Sequence, residues 1–79
     1  MPKNRKSKFE TFIINKILEV RIEKGLTQED IAIILNVSRG FIGQIESSNF
    51  PTKYSLDQIN LLAKEFKRSP KDFMPEKPI

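Results

Sequence analysis

The chain has neither cysteine nor histidine among its 79 residues. Without thiols there is no disulfide and no thiolate metal site, and the double absence excludes a zinc finger. Long apolar runs are missing too. A membrane helix needs about 20 consecutive apolar residues, whereas the runs here extend over only a few. Residues 1–8 lack the apolar segment of a secretory signal, so the expected location is cytoplasmic. Catalysis without His or Cys would require carboxylates, lysines or hydroxyls converging in a pocket. No nucleophile, phosphate-cradling loop or metal-ligand spacing is present, there are no internal repeats, and a domain this short has little volume for a pocket. The composition points away from an enzyme, a cofactor and a small-molecule ligand. It favours one small domain whose core comes from helix packing, with or without a partner subunit.

Positive charge is present but unevenly placed. The formal net charge is +4, and four of the fourteen Lys and Arg stand in the first eight residues with no acid among them. The other ten are matched by the ten Asp and Glu. Residues 1–7 therefore read as a flexible basic arm. Its Lys3, Arg5 and Lys6, with Lys8 following, either track the phosphates of a nucleic acid or form a solubilising terminus.

Helix-start signals recur along the body. Ser7 with Glu10 is a capping box that opens helix 1 at Lys8, and the pattern runs to Lys24 with Gly25 as C-terminal cap. Phe9, Phe12, Ile13, Ile17 and Val20 recur at three- and four-residue spacing as its core face, and Ile14, Leu18 and Ile22 widen the apolar surface. Thr27 with Asp30 opens helix 2, stapled by Leu26 and Ile31. Ile31, Ala32 and Leu35 share its inner face, and small Ala32 suits a steep, close crossing. Asn36 tolerates the left-handed backbone that ends the helix. Ser38 caps helix 3, Val37 and Ile42 staple it, and Ile42 and Ile45 form its buried stripe. The segment 47–54, SSNFPTKY, is a loop around Pro51. Ser55 with Gln58 opens helix 4, stapled by Tyr54 and Ile59, with Leu56, Ile59, Leu62, Ala63 and Phe66 as core. Ser69 and Pro70 start a short helix 5 through Phe73 and Met74. The expectation is an all-α, compact five-helix bundle: arm 1–7, domain 8–74, tail 75–79. At its centre, residues 27–47 form a helix-turn-helix, a shape that presents its second helix to the DNA major groove.

Within residues 25–46, GLTQEDIAIILNVSRGFIGQIE, the strings KGLTQEDIA, LNVS and FIGQIE resemble the phage Cro/repressor (XRE-type) helix-turn-helix family. Its pattern runs G-L-[TS]-Q-x-x-[LI]-A, a turn ending in a hydrophobic residue and Ser, then [IL]-x-x-[IL]-E. The resemblance extends from about Arg21 to Phe73. Asn36 departs from it, standing where the family usually has Gly, as do Gly40 and Gly43 inside the second helix. What it implies is a lambda repressor-like fold and a small, sequence-specific, double-stranded DNA-binding transcription regulator, expected to be a repressor. A homodimer on two half-sites about 34 Å apart is the usual arrangement. Helix 5 and the tail, with Phe73, Met74 and Ile79, offer a dimer surface; the apolar surplus of helix 1 is the alternative.

With Ile42 and Ile45 turned inward, the opposite face of helix 3, about 39–47, carries Arg39, Gly40, Gly43, Gln44 and Ser47. Gln44 can pair with N7 and the exocyclic amine of adenine, and Arg39 can reach guanine or a phosphate. A good bidentate base contact contributes roughly 1–3 kcal/mol of discrimination. A helical glycine costs about 1 kcal/mol relative to alanine. Gly40 and Gly43, one turn apart, are therefore read as admitting close approach to the bases; the rival reading is a surface that no longer reads sequence. Gln28 opens helix 2, where free N–H groups and the helix dipole favour a phosphate, the role the resemblance implies for it. Ser38, Ser47, Asn49, Thr52, Lys53 and Tyr54 complete the expected backbone contacts, although Asn49 and Thr52 can equally shape the turn and Tyr54 can be a staple. The resemblance further implies a structural ion pair between Arg21 and Glu46, tying helix 1 to the end of helix 3. Two other functions remain open: a protein-interaction module that keeps the fold, and an antitoxin-type partner protein.

Overall fold

The computed structural model describes residues 5–79 and contains four α-helices and one 3-10 turn. These are α1 (Lys8–Glu23), α2 (Gln28–Leu35), α3 (Arg39–Glu46), α4 (Leu56–Glu65) and the turn Pro70–Phe73. No strand occurs among the described residues. Three helices open on reciprocal capping boxes. The Ser7, Thr27 and Ser55 side chains each accept from the backbone N–H three residues on, at 3.0, 3.1 and 3.1 Å. Glu10, Asp30 and Gln58 return a bond to the backbone N–H of the cap at 2.8, 2.8 and 2.9 Å. At α3 only half of the box exists: Ser38 Oγ accepts from Phe41 N at 3.1 Å, and a phenylalanine cannot reciprocate.

Three helices also end alike, on a left-handed residue: Gly25 (φ 70°), Asn36 (φ 58°) and Lys67 (φ 58°). At each, two backbone N–H groups turn back onto the last carbonyls, as Leu26 N to Arg21 O (2.9 Å) and Gly25 N to Ile22 O (3.0 Å) do after α1. This is the Schellman closure, and it satisfies carbonyls that would otherwise lack partners. α3 is different: its cap, Ser47, is extended (φ −92°, ψ 135°).

The fifth helix expected from the sequence is only a four-residue 3-10 turn. Pro70 and Pro75 leave four residues between them that can donate, too few to offset the cost of nucleating an α-helix. The bonds that form span three residues, Asp72 N to Ser69 O (2.9 Å) and Met74 N to Lys71 O (3.1 Å). The turn nevertheless packs against α1 and α4, and Phe73 is completely buried. Phe73 is thus part of the core and not available as a dimer surface; Ile79 remains exposed.

The core gathers Ile13, Ile14, Ile17 and Val20 of α1, Ile31, Ala32 and Leu35 of α2, and Ile42 and Ile45 of α3. Tyr54, Phe73 and the α4 stripe of Ile59, Leu62, Ala63 and Phe66 complete it. Phe9 and Phe12, expected inside, are instead 39% and 38% exposed, and Ile14 is buried with the core stripe. The α1 spacing admits two overlapping stripes. The one through Ile13, Ile14, Ile17 and Val20 stays apolar along the helix, whereas the Phe9–Phe12 edge continues into Lys16, Glu19 and Glu23. Leu56, the first residue of α4, also points to solvent.

Candidate nucleic-acid interface

Burial of Ile42 and Ile45 fixes the rotation of α3 and leaves Arg39, Gly40 and Gln44 exposed, with Gly43 and Ser47 half-buried. One hydrogen-bonded chain links this face to the scaffold. Arg21 Nε and Nη2 donate to Glu46 Oε2 and Oε1, both at 2.9 Å, and Arg21 Nη1 donates to Leu26 O at 2.9 Å. The ion pair is largely withdrawn from water, its side chains 14% and 8% exposed. Gln28 Nε2 donates to the same Glu46 Oε1 at 2.9 Å, and Gln28 Oε1 accepts from Arg39 Nη1 at 2.9 Å. The Arg39 guanidinium is therefore bonded directly to Gln28 at the start of α2, and through Gln28 and Glu46 it is linked to Arg21.

At the other end of α3, Gln44 Oε1 accepts from Thr52 Oγ1 at 2.9 Å, which fastens the loop to the helix. Ser47 Oγ accepts from Asn49 N at 3.1 Å and shapes the start of that loop. Lys53 Nζ pairs with Glu10 Oε2 at 2.8 Å. The Lys53 hydrogen bond, followed by the Ser7 backbone N–H, holds the Glu10 carboxyl below its ordinary pKa. Lys6 Nζ donates to the main-chain oxygens of Ser47 and, at 3.3 Å, Gln44. Arg5 and Lys8 are exposed, and Lys3 lies outside the described residues.

Tyr54 is a correction to the expected backbone set. It is 6% exposed, its hydroxyl is sealed from solvent with no hydrogen-bond partner, and it cannot reach a phosphate. Burial first, and then the nearby Glu46 carboxylate, push its pKa up. The two glycines occupy ordinary helical backbone and are not required by packing. A Cβ at Gly40 would meet nothing nearer than Ser38 Oγ at 3.9 Å, and one at Gly43 would meet Gln28 Oε1 at 3.6 Å. Gln28 and Lys6 carry the interactions that sequence reasoning missed: Gln28 is a bridge between Glu46 and Arg39, and Lys6 meets carbonyls about forty residues away in sequence. No short-range pattern signals either contact.

Comparison with known proteins agrees with this geometry. The family model described as helix-turn-helix matches residues 17–73. Among solved structures, the restriction-modification controller protein C.AhdI from Aeromonas hydrophila is similar, with a TM-score of 0.67 and 26% sequence identity. That similarity covers 81% of this chain and 94% of the controller. No curated protein sequence matches. With the motif, its partly buried ion pair and the matched span in hand, the chain belongs to the XRE-type helix-turn-helix family of DNA-binding transcription regulators.

Proposed function

We propose that α3 enters the major groove of double-stranded DNA and reads sequence there through Arg39 and Gln44, with Gly40 and Gly43 admitting the helix backbone close to the base edges. Ser38, Ser47, Asn49, Thr52 and Lys53 follow the phosphates, together with Gln28 at the start of α2 and the basic residues Lys3, Arg5 and Lys8 of the segment that also carries Lys6. The protein acts as a repressor, and two copies bind adjacent half-sites. Similarity to a restriction-modification controller supports a regulatory role.

The observation that carries this reading is the glycine pair. Each glycine costs the helix about 1 kcal/mol relative to alanine, yet neither is needed by the fold. A demand outside the folded chain, such as close approach to a ligand surface, accounts for their presence. Replacing both (Gly40→Ala with Gly43→Ala) is expected to raise Tm, at about 4–8 °C per kcal/mol for a domain of this size. It is also expected to weaken binding, at least tenfold, to the duplex that the unaltered protein selects. Greater stability with unchanged duplex affinity would remove the close-approach reading.

A further inference from the structure

We propose that Lys6 is a positioning residue that fastens the N-terminal basic segment to the C-terminal end of α3, so that Arg5 meets DNA from that end of the reading helix. This inference rests on the DNA reading above and adds the part that aims the arm.

The reason lies in how α3 ends. Its Gln44 carbonyl accepts a single backbone N–H, that of Ser47 at 3.2 Å, and its last carbonyls carry the negative end of the helix dipole. α1, α2 and α4 resolve the same problem with a left-handed cap that returns backbone N–H groups to those carbonyls. α3 has no such cap, no basic residue in its last turn, and the acidic Glu46 as its final residue. Lys6 brings a cation to this end, donating to the main-chain oxygens of Gln44 and Ser47. Its backbone is already committed, because the next residue is the Ser7 cap of α1, bonded in both directions to Glu10. Lys6 therefore spans between the start of α1 and the end of α3. Burial lowers its pKa, as does the charge of Lys53, against the opposing pull of Glu10, consistent with an ammonium drawn out of water. Gln44, whose carbonyl receives Lys6, is also the residue whose side chain is held by Thr52. The arm, the loop and the reading helix meet at that one residue.

Lys6→Met keeps the side-chain stem and removes the charge; Arg5→Gln serves as a comparison. In the free protein, 15N relaxation at Arg5 and Lys6 should show increased fast motion in Lys6→Met, with α1 unchanged. In duplex binding, each lost phosphate contact lowers the slope of log K against log salt by about 0.9. Arg5→Gln should lower it by that amount. Lys6→Met should lower it by the same amount, because the aim of Arg5 is lost, and adding Arg5→Gln to Lys6→Met should change little further. Unchanged relaxation in Lys6→Met overturns the proposal, as does an unchanged slope in Lys6→Met or a double variant whose slope falls by two contacts. If the unaltered protein binds no duplex even at low salt, the DNA reading itself falls, and the relaxation comparison alone then decides whether the fastening exists.

Discussion

Replacing Arg21 by methionine is expected to destabilise the domain by about 3–5 kcal/mol, because it strands a buried carboxylate. Glu46 accepts two bonds from Arg21 and one from Gln28, and its side chain is only 8% exposed. Removing the guanidinium leaves the amide of Gln28 as its remaining polar partner, and it frees Leu26 O, which Arg21 also satisfies. Small domains have about 5–15 kcal/mol in total, so the loss should lower Tm by tens of degrees. The paired replacement, Arg21→Met with Glu46→Leu, should recover most of it, since a buried ion pair exchanged for apolar groups of similar volume is often neutral or stabilising. Urea unfolding of the three variants measures this directly. A double variant as unstable as the single one would show that the pair contributes by attraction, not by mutual neutralisation. The same chain continues through Gln28 to Arg39, so the stability of the scaffold and the placement of the Arg39 side chain rest on one carboxylate.

Phe73→Ala is expected to cost a similar amount, about 3–5 kcal/mol, the usual range for a fully buried aromatic. Its ring is completely buried, and the 3-10 turn that carries it has only short-span backbone bonds of its own. That ring is what fixes the turn between α1 and α4. Loss of the ring should release residues 70–79, seen as faster tryptic cleavage at Lys71 under native conditions, together with reduced urea stability. A cost below about 1 kcal/mol, with Lys71 still protected, would mean that the α-helices hold together without the turn.

What could be read from the sequence follows the range of the forces involved. The starts of all four helices are legible because a cap acts over three residues, and the same holds for the ends at Gly25 and Asn36. The end at Lys67 is not: lysine there adopts the left-handed backbone (φ 58°) without the residue type that usually announces it. Periodicity places Ile13, Ile17 and Val20 inside, but it assigns Phe9, Phe12 and Leu56 to the core as well. Which edge of a broad apolar face is covered depends on the other helices and not on spacing. The 3-10 turn carries a proper start signal, yet helix length is limited by a second proline five residues later. In the site, the inward stripe of α3 identifies the outward one, so Arg39 and Gln44 are legible as a face. Their partners Gln28 and Thr52, the ammonium of Lys6 and the burial of Tyr54 are tertiary facts. The Arg21–Glu46 pairing is implied by family resemblance and not by any local pattern.

The central claim is that α3 reads the sequence of double-stranded DNA, and selection from a pool of random duplexes at low salt tests it most directly. The account predicts enrichment of one two-fold symmetric site, with half-site centres about 34 Å apart along the helix. A pool that remains unenriched after repeated rounds, whether the protein binds all duplexes alike or none, would contradict it.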